Sequence, residues 1–287
     1  MIWLIGHRGM LGREVLSRLE KKGCLYEVSD MEVDIADVHQ LRSFIGDRSP
    51  DWMVNCSAYT AVDRAEDEAS LAFRVNAEGV RNLALIAEEK GSKLLHISTD
   101  YVFDGNSRTA YTEEDPTNPV GVYAKSKYQG EIYVRQHLLR HIIIRTAWLY
   151  GRHGQNFVFT MLRLFREREE IRVVADQWGS PTLADDLADT ILEIIGRDSE
   201  EYGTYHFTNE GKTNWYDFAR AIYRHVCSEG LINRNVRILP INTEQYPTKA
   251  KRPANSLLSK DKIKTTFGLS IRDWEAALES FMKAIAS

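Results

Sequence analysis

The segment Ile2-Trp-Leu-Ile5 runs directly into Gly6-His-Arg-Gly9-Met-Leu-Gly12. A short, almost continuous apolar run is typical of a strand that is buried on both faces of a parallel sheet. Glycines at this spacing allow a tight turn and the close approach of a pyrophosphate to backbone N–H groups at the start of the next helix. The segment therefore predicts a strand, a dinucleotide-binding loop and a helix, although a purely structural turn is the alternative.

Strands and helices continue to alternate as far as about residue 150. The predicted elements are strands at 52–56, 94–98 and 141–146, and helices at 71–90, ended by Gly91, and 123–139. Such alternation is typical of a parallel, doubly wound sheet with right-handed crossovers. We therefore predict an α/β fold with a Rossmann-like NAD(P)-binding domain over residues 1–150.

After about residue 150 the pattern loosens into helices interleaved with short strands. The predicted elements are helices at 157–168, 183–195 and 214–228, and strands at 172–174 and 204–207. We predict a smaller mixed α/β lobe over residues 151–287 that binds the substrate, and we expect residues 183–200 to pack back on the first domain. The segment 243–255 holds two prolines and is predicted to be a loop.

The composition and charge of the chain bear on its binding partners and its location. The 287 residues carry a formal net charge of -4, which gives no bulk attraction to nucleic acid or to an anionic membrane. Three distant cysteines do not suggest a disulfide framework, and no apolar run is long enough to span a bilayer. Because the first predicted strand begins at the N-terminus and leaves no space for a signal peptide, we expect a soluble cytoplasmic protein.

The segment Tyr123-Ala-Lys-Ser-Lys127 opens a predicted helix, on which residues four apart share a face. The Lys127 ammonium group would stabilise a phenolate and lower the pKa of Tyr123 from its usual value of about 10. Tyr123 could then give a proton to a carbonyl oxygen while hydride arrives from a nicotinamide cofactor, whose ribose Lys127 could hold. The pair alone would suit a solvated helix surface, but the glycine loop upstream favours a catalytic site.

A polar segment follows the strand predicted at 94–98, at the edge where ligands bind in open α/β sheets. A hydroxyl from Thr99 or Ser98 could hold the carbonyl oxygen of a substrate beside Tyr123. For Asp104-Gly105, a few residues later, an ordinary turn remains a plausible alternative.

Charged residues near the second strand bear on the choice between NADH and NADPH. Asp30, near the end of that strand, would accept hydrogen bonds from ribose hydroxyls and favour NADH. Arg8, within the glycine loop, could pair with a 2′-phosphate and favour NADPH. Asp34 is a second acidic candidate, and Ile35 beside it could pack on adenine. The choice stays open with a lean toward NADPH, and each charge could equally be a solvated surface residue.

Three segments together, Gly6–Gly12, Ser98–Gly105 and Tyr123–Lys127, resemble the extended short-chain dehydrogenases. The chain is most similar to the dTDP-4-dehydrorhamnose reductase family, whose further motifs recur in order at Asn55–Asp63, Arg145–Gly151, Asp176–Thr182 and Arg252–Leu257. The resemblance implies NAD(P)H-dependent reduction of the 4-keto group of dTDP-4-dehydro-L-rhamnose to dTDP-L-rhamnose, a precursor of cell-surface polysaccharide. Related dehydratases carry Asp-Glu after the threonine. In this chain Thr99 is followed by Asp100-Tyr101, so the second acid is missing and simple keto reduction is favoured.

The resemblance also implies roles for single residues. Thr99, Tyr123 and Lys127 would be catalytic. Besides Tyr123 and Lys127, the cofactor would contact Gly6, Arg8, Gly9, Met10, Leu11, Gly12, Asp30, Asp34, Ile35, Cys56, Ser57, Ala58 and Tyr59. The substrate would contact Thr60, Val62, Thr99, Asp100, Tyr101, Trp148 and Arg252. Arg252 would lie near the nucleotide diphosphate, whereas Trp148 would be assigned to the core without the resemblance.

Metal binding, assembly and two other functions are also considered. Some family members dimerise around a divalent metal held by glutamates, which we cannot assign here, and a homodimer is left open. His137 and His141 have the spacing of one helical turn without a third ligand, so we predict no metal site. The alternative functions are a non-catalytic regulatory subunit similar to the β subunit of methionine adenosyltransferase, and a reductase or epimerase of another nucleotide sugar.

Overall fold

The computed structural model describes residues 1–286. Its strands are β1 (Ile2–Ile5), β2 (Tyr26–Ser29), β3 (Trp52–Asn55), β4 (Lys93–Thr99), β5 (His141–Thr146), β6 (Leu149–Tyr150), β7 (Glu170–Val174), β8 (Trp178–Gly179), β9 (Thr182–Leu183), β10 (Gly203–His206), β11 (Thr213–Asn214) and β12 (Arg237–Ile241). Its helices are α1 (Met10–Lys21), α2 (Val38–Ile45), α3 (Val62–Ala65), α4 (Ala69–Phe73), α5 (Val80–Lys90), α6 (Val122–His137), α7 (Phe157–Glu167), α8 (Ala184–Gly196), α9 (Trp215–Ser228), α10 (Asp261–Phe267) and α11 (Trp274–Ala286). A π-helical turn (Arg74–Gly79) joins α4 to α5, and 3-10 turns occupy Asp100–Val102 and Thr243–Gln245.

Six parallel strands form the main sheet in the order β10-β5-β4-β3-β1-β2. Apolar residues of the strands pack against α1, α8 and α10 on one face and against α2, α5 and α6 on the other. The predicted doubly wound parallel sheet is therefore confirmed. The strand order reverses between β1 and β3, which is the place where sheets of this kind bind ligands.

The chain returns to this sheet after residue 150. Leu187 and Ile191 of α8 share an apolar cluster with Leu11 and Val15 of α1. β10 pairs in parallel with β5, although its residues were predicted to lie in the C-terminal lobe. A local pattern indicates that a strand exists, but its partner depends on contacts that are distant along the chain.

Apart from α10, which also covers the main sheet, the remainder of the chain after residue 150 forms the predicted mixed lobe. Its small sheets pair β7 with β12, β8 with β11 and β6 with β9. Helices α7, α9 and α11 enclose a core rich in aromatic side chains, among them Phe165, Phe218 and Phe281. None of the helices described within residues 1–286 is long and apolar enough to cross a membrane.

The two histidines considered as metal ligands belong to different elements. His137 is the last residue of α6, and His141 is the first residue of β5, so the helical spacing assumed from the sequence was wrong. The helix ends because Leu138 takes an extended conformation before the strand starts. Over the part of the chain that the structure describes, no group of three or more His, Cys, Asp or Glu side chains could hold a metal ion.

Candidate active site

The loop after β1 touches the loop after β3 where the strand order reverses. Gly6 has a φ of +80°, and a Cβ atom added to it would lie 2.6 Å from the backbone nitrogen of Ser57. A Cβ atom on Gly12 would lie 2.1 Å from the Gly6 carbonyl oxygen. Gly9 meets only an ordinary contact of 3.4 Å, so packing within the protein does not require a glycine there. A bare backbone at the start of α1 fits a pyrophosphate that approaches from outside.

The residues considered for cofactor preference lie together beside this loop. The Arg8 N–H donates to Asp30 Oδ2 over 2.9 Å, and the Met31 N–H donates to Asp30 Oδ1 over the same distance. The exposed Arg8 guanidinium lies 3.3 Å from Glu32. Asp34 is paired with the side chain of Arg74. Both carboxylate oxygens of Asp30 therefore already accept hydrogen bonds from the protein.

Two apolar residues predicted to contact the cofactor have side chains that are buried in the core. Leu11 is buried in the cluster between α1 and α8, so any contact with a cofactor falls to its backbone. Ile35 is also buried, and its side chain fills the space next to Gly79, where an added Cβ would lie 2.5 Å away. The structure leaves Ile35 little surface with which to cover an adenine ring. Met10, in contrast, is half-buried at the first position of α1.

The π-helical turn places a buried amide between two parts of the site. Asn76 Oδ1 accepts the Tyr59 N–H over 2.8 Å, and its Nδ2 donates to the Tyr59 carbonyl over 3.0 Å. The same Nδ2 group donates to Ser126 Oγ over 3.0 Å, and Ser126 in turn donates to the Tyr123 carbonyl. Asn76 thus ties the Cys56–Tyr59 loop to the helix that carries Tyr123 and Lys127. π-Helical turns often occur at functional sites.

Thr99 and Tyr123 meet at the carboxyl end of β4. The Thr99 hydroxyl donates to Asp100 Oδ1 over 2.9 Å and accepts the Tyr101 N–H over 3.2 Å. Its side chain also interacts with that of Tyr123, which is half-buried at the cavity wall. Ser98, the alternative considered from the sequence, points away and donates to Glu131 over 2.6 Å. Thr99 is therefore the hydroxyl that can share a substrate oxygen with Tyr123.

Burial governs the electrostatics of Tyr123 and Lys127. It raises the pKa of Tyr123 above the usual value, although the hydrogen bond with Thr99 acts in the opposite direction. It lowers the pKa of Lys127 to about 8, while the Glu131 carboxylate acts to raise it. The Lys127 ammonium donates to the Ile97 carbonyl over 2.7 Å. The sequence predicted a lowered pKa for Tyr123; the direction differs because helical spacing does not reveal burial.

A cavity lies beside the Tyr123 ring and is lined by Val62, Tyr101 and Arg252, among others. The Tyr101 ring meets the Tyr123 ring edge-on, with centroids 5.9 Å apart. Asp100 next to them is buried, and its carboxylate interacts with the side chains of Thr99 and Ser256. Burial raises the pKa of Asp100 to about 6. A buried carboxylate in this position could exchange one of these contacts for a hydrogen bond from a sugar hydroxyl.

Arg252 brings the C-terminal lobe to the edge of this cavity, and Trp148 lies in the turn between β5 and β6. Arg252 donates to Asp63 over 2.7 Å and keeps only 21% of its side chain exposed. Trp148 has a φ of +49°, and its ring stacks on Trp215 with centroids 3.6 Å apart. Left-handed backbone is strained for a large side chain, and such strain is concentrated at functional sites. Thr60, by contrast, is exposed.

Several residues of the site were not predicted from the sequence: Asn76, Glu131, Arg145 and Trp215. Glu131 does stand four residues after Lys127, and Arg145 interrupts an isoleucine-rich strand, which are signals of a buried ion pair. Asn76 lies in a segment predicted as ordinary helix, where an asparagine gives no particular signal. Asp104 and Gly105 form the turn considered for them, since Asp104 accepts the Asn106 N–H and Gly105 has a φ of +82°.

Known proteins resemble the chain over its whole length. The family model described as RmlD substrate binding domain matches residues 1–287. The chain is 42% identical over 284 residues to the dTDP-4-dehydrorhamnose reductase of Aggregatibacter actinomycetemcomitans, covering 96% of each chain. The solved dTDP-4-dehydrorhamnose reductase of Clostridium acetobutylicum is 38% identical, with a TM-score of 0.94 over 100% of this chain and 99% of that one. The Bacillus anthracis reductase, solved in complex with NADP, is also 38% identical, with a TM-score of 0.92 over 99% and 98% of the two chains.

Proposed function

The chain belongs to the dTDP-4-dehydrorhamnose reductase family, and we propose that it reduces the 4-keto group of dTDP-4-dehydro-L-rhamnose with Thr99, Tyr123 and Lys127 as its catalytic residues. It is an NAD(P)H-dependent oxidoreductase, and its product is dTDP-L-rhamnose. The observation that carries the roles of these residues is their convergence on the carboxyl end of β4, beside the glycine loop. Ligands of open α/β sheets bind at this edge.

Two loops would hold the cofactor. The backbone of Gly6–Gly12 would bind the pyrophosphate, and the Cys56–Tyr59 loop, fixed by Asn76, would border the nicotinamide side. When bound, NAD(P)H supplies the hydride. We propose that NADPH is preferred, because Asp30 is occupied by backbone N–H groups while the Arg8 guanidinium is exposed for a 2′-phosphate. Glu32 competes for Arg8, so NADH would also be accepted.

Tyr123 would be the proton donor. Its raised pKa keeps the hydroxyl protonated at neutral pH, so that the proton is available for the carbonyl oxygen of the substrate as that oxygen gains negative charge. Thr99 would hold the same oxygen with its hydroxyl. Proton transfer leaves a phenolate on Tyr123, which the Lys127 ammonium would stabilise.

The cavity beside Tyr123 would hold the sugar. Asp100 would accept a hydrogen bond from a sugar hydroxyl in place of its interaction with Ser256, and Tyr101 and Val62 would border the ring. Trp148, held by Trp215, would present an aromatic face to the sugar. Arg252 would exchange part of its contact with Asp63 for the diphosphate, which its planar guanidinium can bind in bidentate fashion.

An absorbance assay of cofactor oxidation tests the proposal with dTDP-4-dehydro-L-rhamnose and either NADPH or NADH. We expect turnover with both cofactors and faster turnover with NADPH. Tyr123→Phe should lower kcat by a factor on the order of 10² or more, with cofactor affinity retained, because the substitution removes only the transferable proton. A folded wild type that binds cofactor without turnover would point to another nucleotide sugar or to a regulatory subunit.

Assembly and location complete the proposal. We propose that the protein works in the cytoplasm, which fits its formal net charge of -4 and the lack of a membrane-spanning helix within residues 1–286; a homodimer is left open by the family resemblance. Light scattering coupled to size exclusion would measure the mass in solution, and a monomer at micromolar concentration would exclude a stable dimer.

A further inference from the structure

A completely buried carboxylate lies one helical turn beyond Lys127. Glu131 follows Lys127 by four residues on α6, so both side chains lie on one face of that helix. None of the Glu131 side chain is exposed. Removing a carboxylate from water costs several kcal/mol, and the protein must compensate for that cost. The proposed roles of Thr99, Tyr123 and Lys127 leave this carboxylate without a function.

Three elements hold Glu131 in place. Arg145 on β5 donates from Nε to Oε1 over 3.0 Å and from its terminal nitrogen to Oε2 over 2.8 Å. Ser98 on β4 donates to Oε1 over 2.6 Å, and Arg135 on α6 donates to Oε2 over 3.1 Å. Burial acts to raise the pKa of Glu131, but Arg145, Ser98 and Arg135 together outweigh it, and the pKa lies below the usual value. Glu131 is therefore a fixed negative charge.

The same short stretch of β4 anchors the lysine. The Ile97 carbonyl accepts from the Lys127 ammonium, and the hydroxyl of the next residue, Ser98, donates to Glu131. Burial would favour a neutral lysine here, and the carboxylate opposes that effect. The Lys127 and Glu131 side chains thus lie on one face of α6 and are both held by neighbouring residues of β4.

We propose that Glu131 is a positioning residue for the reductase reaction: clamped by Arg145 and Ser98, it keeps the Lys127 side chain charged and directed toward the end of β4. The inference rests on the proposed role of Lys127. It gives a function to the buried ion pair between Glu131 and Arg145, whose two charges are removed from water at a cost in free energy.

The other titratable groups around this pair come from each neighbouring element. They are Cys56 after β3, His96 in β4, Arg135 in α6, Arg145 in β5, and His206 of β10 with Glu113 beside it. Burial raises the pKa of Cys56 to about 12 and lowers that of His206 to about 3. Burial also lowers the pKa of His96 well below the usual value and raises that of Glu113. At mildly alkaline pH, Lys127 is therefore the group of this set that changes its charge.

Two substitutions should shift the pKa of Lys127 in opposite directions. Glu131→Gln removes the carboxylate and leaves the Arg145 cation uncompensated, so the pKa of Lys127 should fall by about one pH unit. Arg135→Gln removes a partly exposed cation but keeps the buried pair with Arg145, so the pKa of Lys127 should rise by ~0.3. Glu88→Gln, the same chemical change at an exposed position of α5, should leave it unchanged.

Two readouts follow the change: the alkaline limb of the pH profile of kcat/KM, and the titration of labelled lysine side chains by carbon-13 NMR in the protein alone. Both should shift downward for Glu131→Gln and upward for Arg135→Gln. The Lys127 resonance is assigned by its loss in Lys127→Met.

Several results would overturn the inference. The first is that, with an active wild type and a folded Glu131→Gln variant, neither the alkaline limb of the kcat/KM profile nor the titration of Lys127 shifts between the two proteins. The second is that Glu131→Gln and Arg135→Gln shift these readouts in the same direction. If Glu131→Gln fails to fold, Glu131→Asp replaces it: the shorter side chain withdraws the negative charge from Lys127, so the pKa of Lys127 should fall, and no downward shift counts against the role of Glu131. A wild type without reductase activity defeats the proposed function instead, and the NMR titration then tests the electrostatic coupling by itself.

Discussion

The Asp100 side chain is buried and almost inaccessible to water. Its pKa is raised to about 6 by burial, against 3.8 for an exposed aspartate. Because the folded protein holds the proton more tightly than the unfolded chain, this residue favours folding below pH 3.8, and that contribution is lost as the pH rises to about 6. The candidate active site therefore contains a group that lowers the stability of the protein near neutral pH.

Asp100→Asn should stabilise the protein above pH 6 by about 3 kcal/mol and have little effect near pH 4, since the amide never ionises. Thermal unfolding of both proteins across this pH range measures the difference. Asp104→Asn is a control of opposite sign, because hydrogen bonds, above all from the Asn106 N–H, lower the pKa of Asp104 and it stabilises the fold at neutral pH. Equal pH profiles for wild type and Asp100→Asn would contradict the raised pKa.

Trp148 shows how far a sequence can identify a single residue of the site. Its type and neighbours matched a family motif, which suggested contact with the sugar. Its left-handed backbone and its stacking on Trp215 could not be predicted, because they depend on a helix that begins more than sixty residues later. Catalytic candidates were found where motif and chemistry agreed, whereas the residues that support them were missed.

Among the elements, the long helix before β4 is the most informative. Its apolar period predicted residues 71–90 and the stop at Gly91, and the structure has α4, the π-helical turn and α5 over almost the same range. The wide turn was not predicted because one inserted residue hardly changes the apolar period. β12 was missed because its residues are mostly exposed and include Pro240. No prediction covered α11, although Trp274, Leu278 and Phe281 repeat at intervals of four and three residues.

Asn76→Ala should lower kcat/KM at least tenfold, because the loop after β3 and the helix of Tyr123 lose their common hydrogen-bonding partner. The unfolding free energy should fall by about 1–3 kcal/mol, since buried groups are left unpaired. Asn82→Ala is the matched control. Asn82 is also buried in this helix, but it donates to the Ile35 carbonyl, away from Tyr123. Similar losses of activity in both variants would mean that Asn76 serves stability alone.

The whole molecule is held together by the return of the chain to its first sheet. α8 covers α1, and β10 completes the sheet beside β5, so residues 1–150 lack both a strand and an apolar cover. A boundary at residue 150 describes where the sequence pattern changes, and it cuts across the packing of the main core. Parallel pairing of β5 with β10 across the lobe could not be inferred from either strand alone.

A fragment of residues 1–150 should therefore fail to fold, whereas the intact chain should unfold in a single cooperative transition. The fragment exposes the apolar edge of β5 and the face of α1 that packs on Leu187 and Ile191. Circular dichroism melting and NADPH fluorescence titration check both statements. A fragment that melts cooperatively and binds NADPH would show that the first domain is independent of the C-terminal residues.

Completion of the sheet by β10 also sets a delay during protein synthesis. Thr146 ends β5 and His206 ends β10, so 60 residues must be added by the ribosome between the two events. At roughly 5–20 residues per second, β5 emerges with one edge unpaired for about 3–12 seconds. During that interval the nascent chain exposes an isoleucine-rich strand with one unpaired edge, and chaperones that bind extended apolar segments have their best opportunity to bind it.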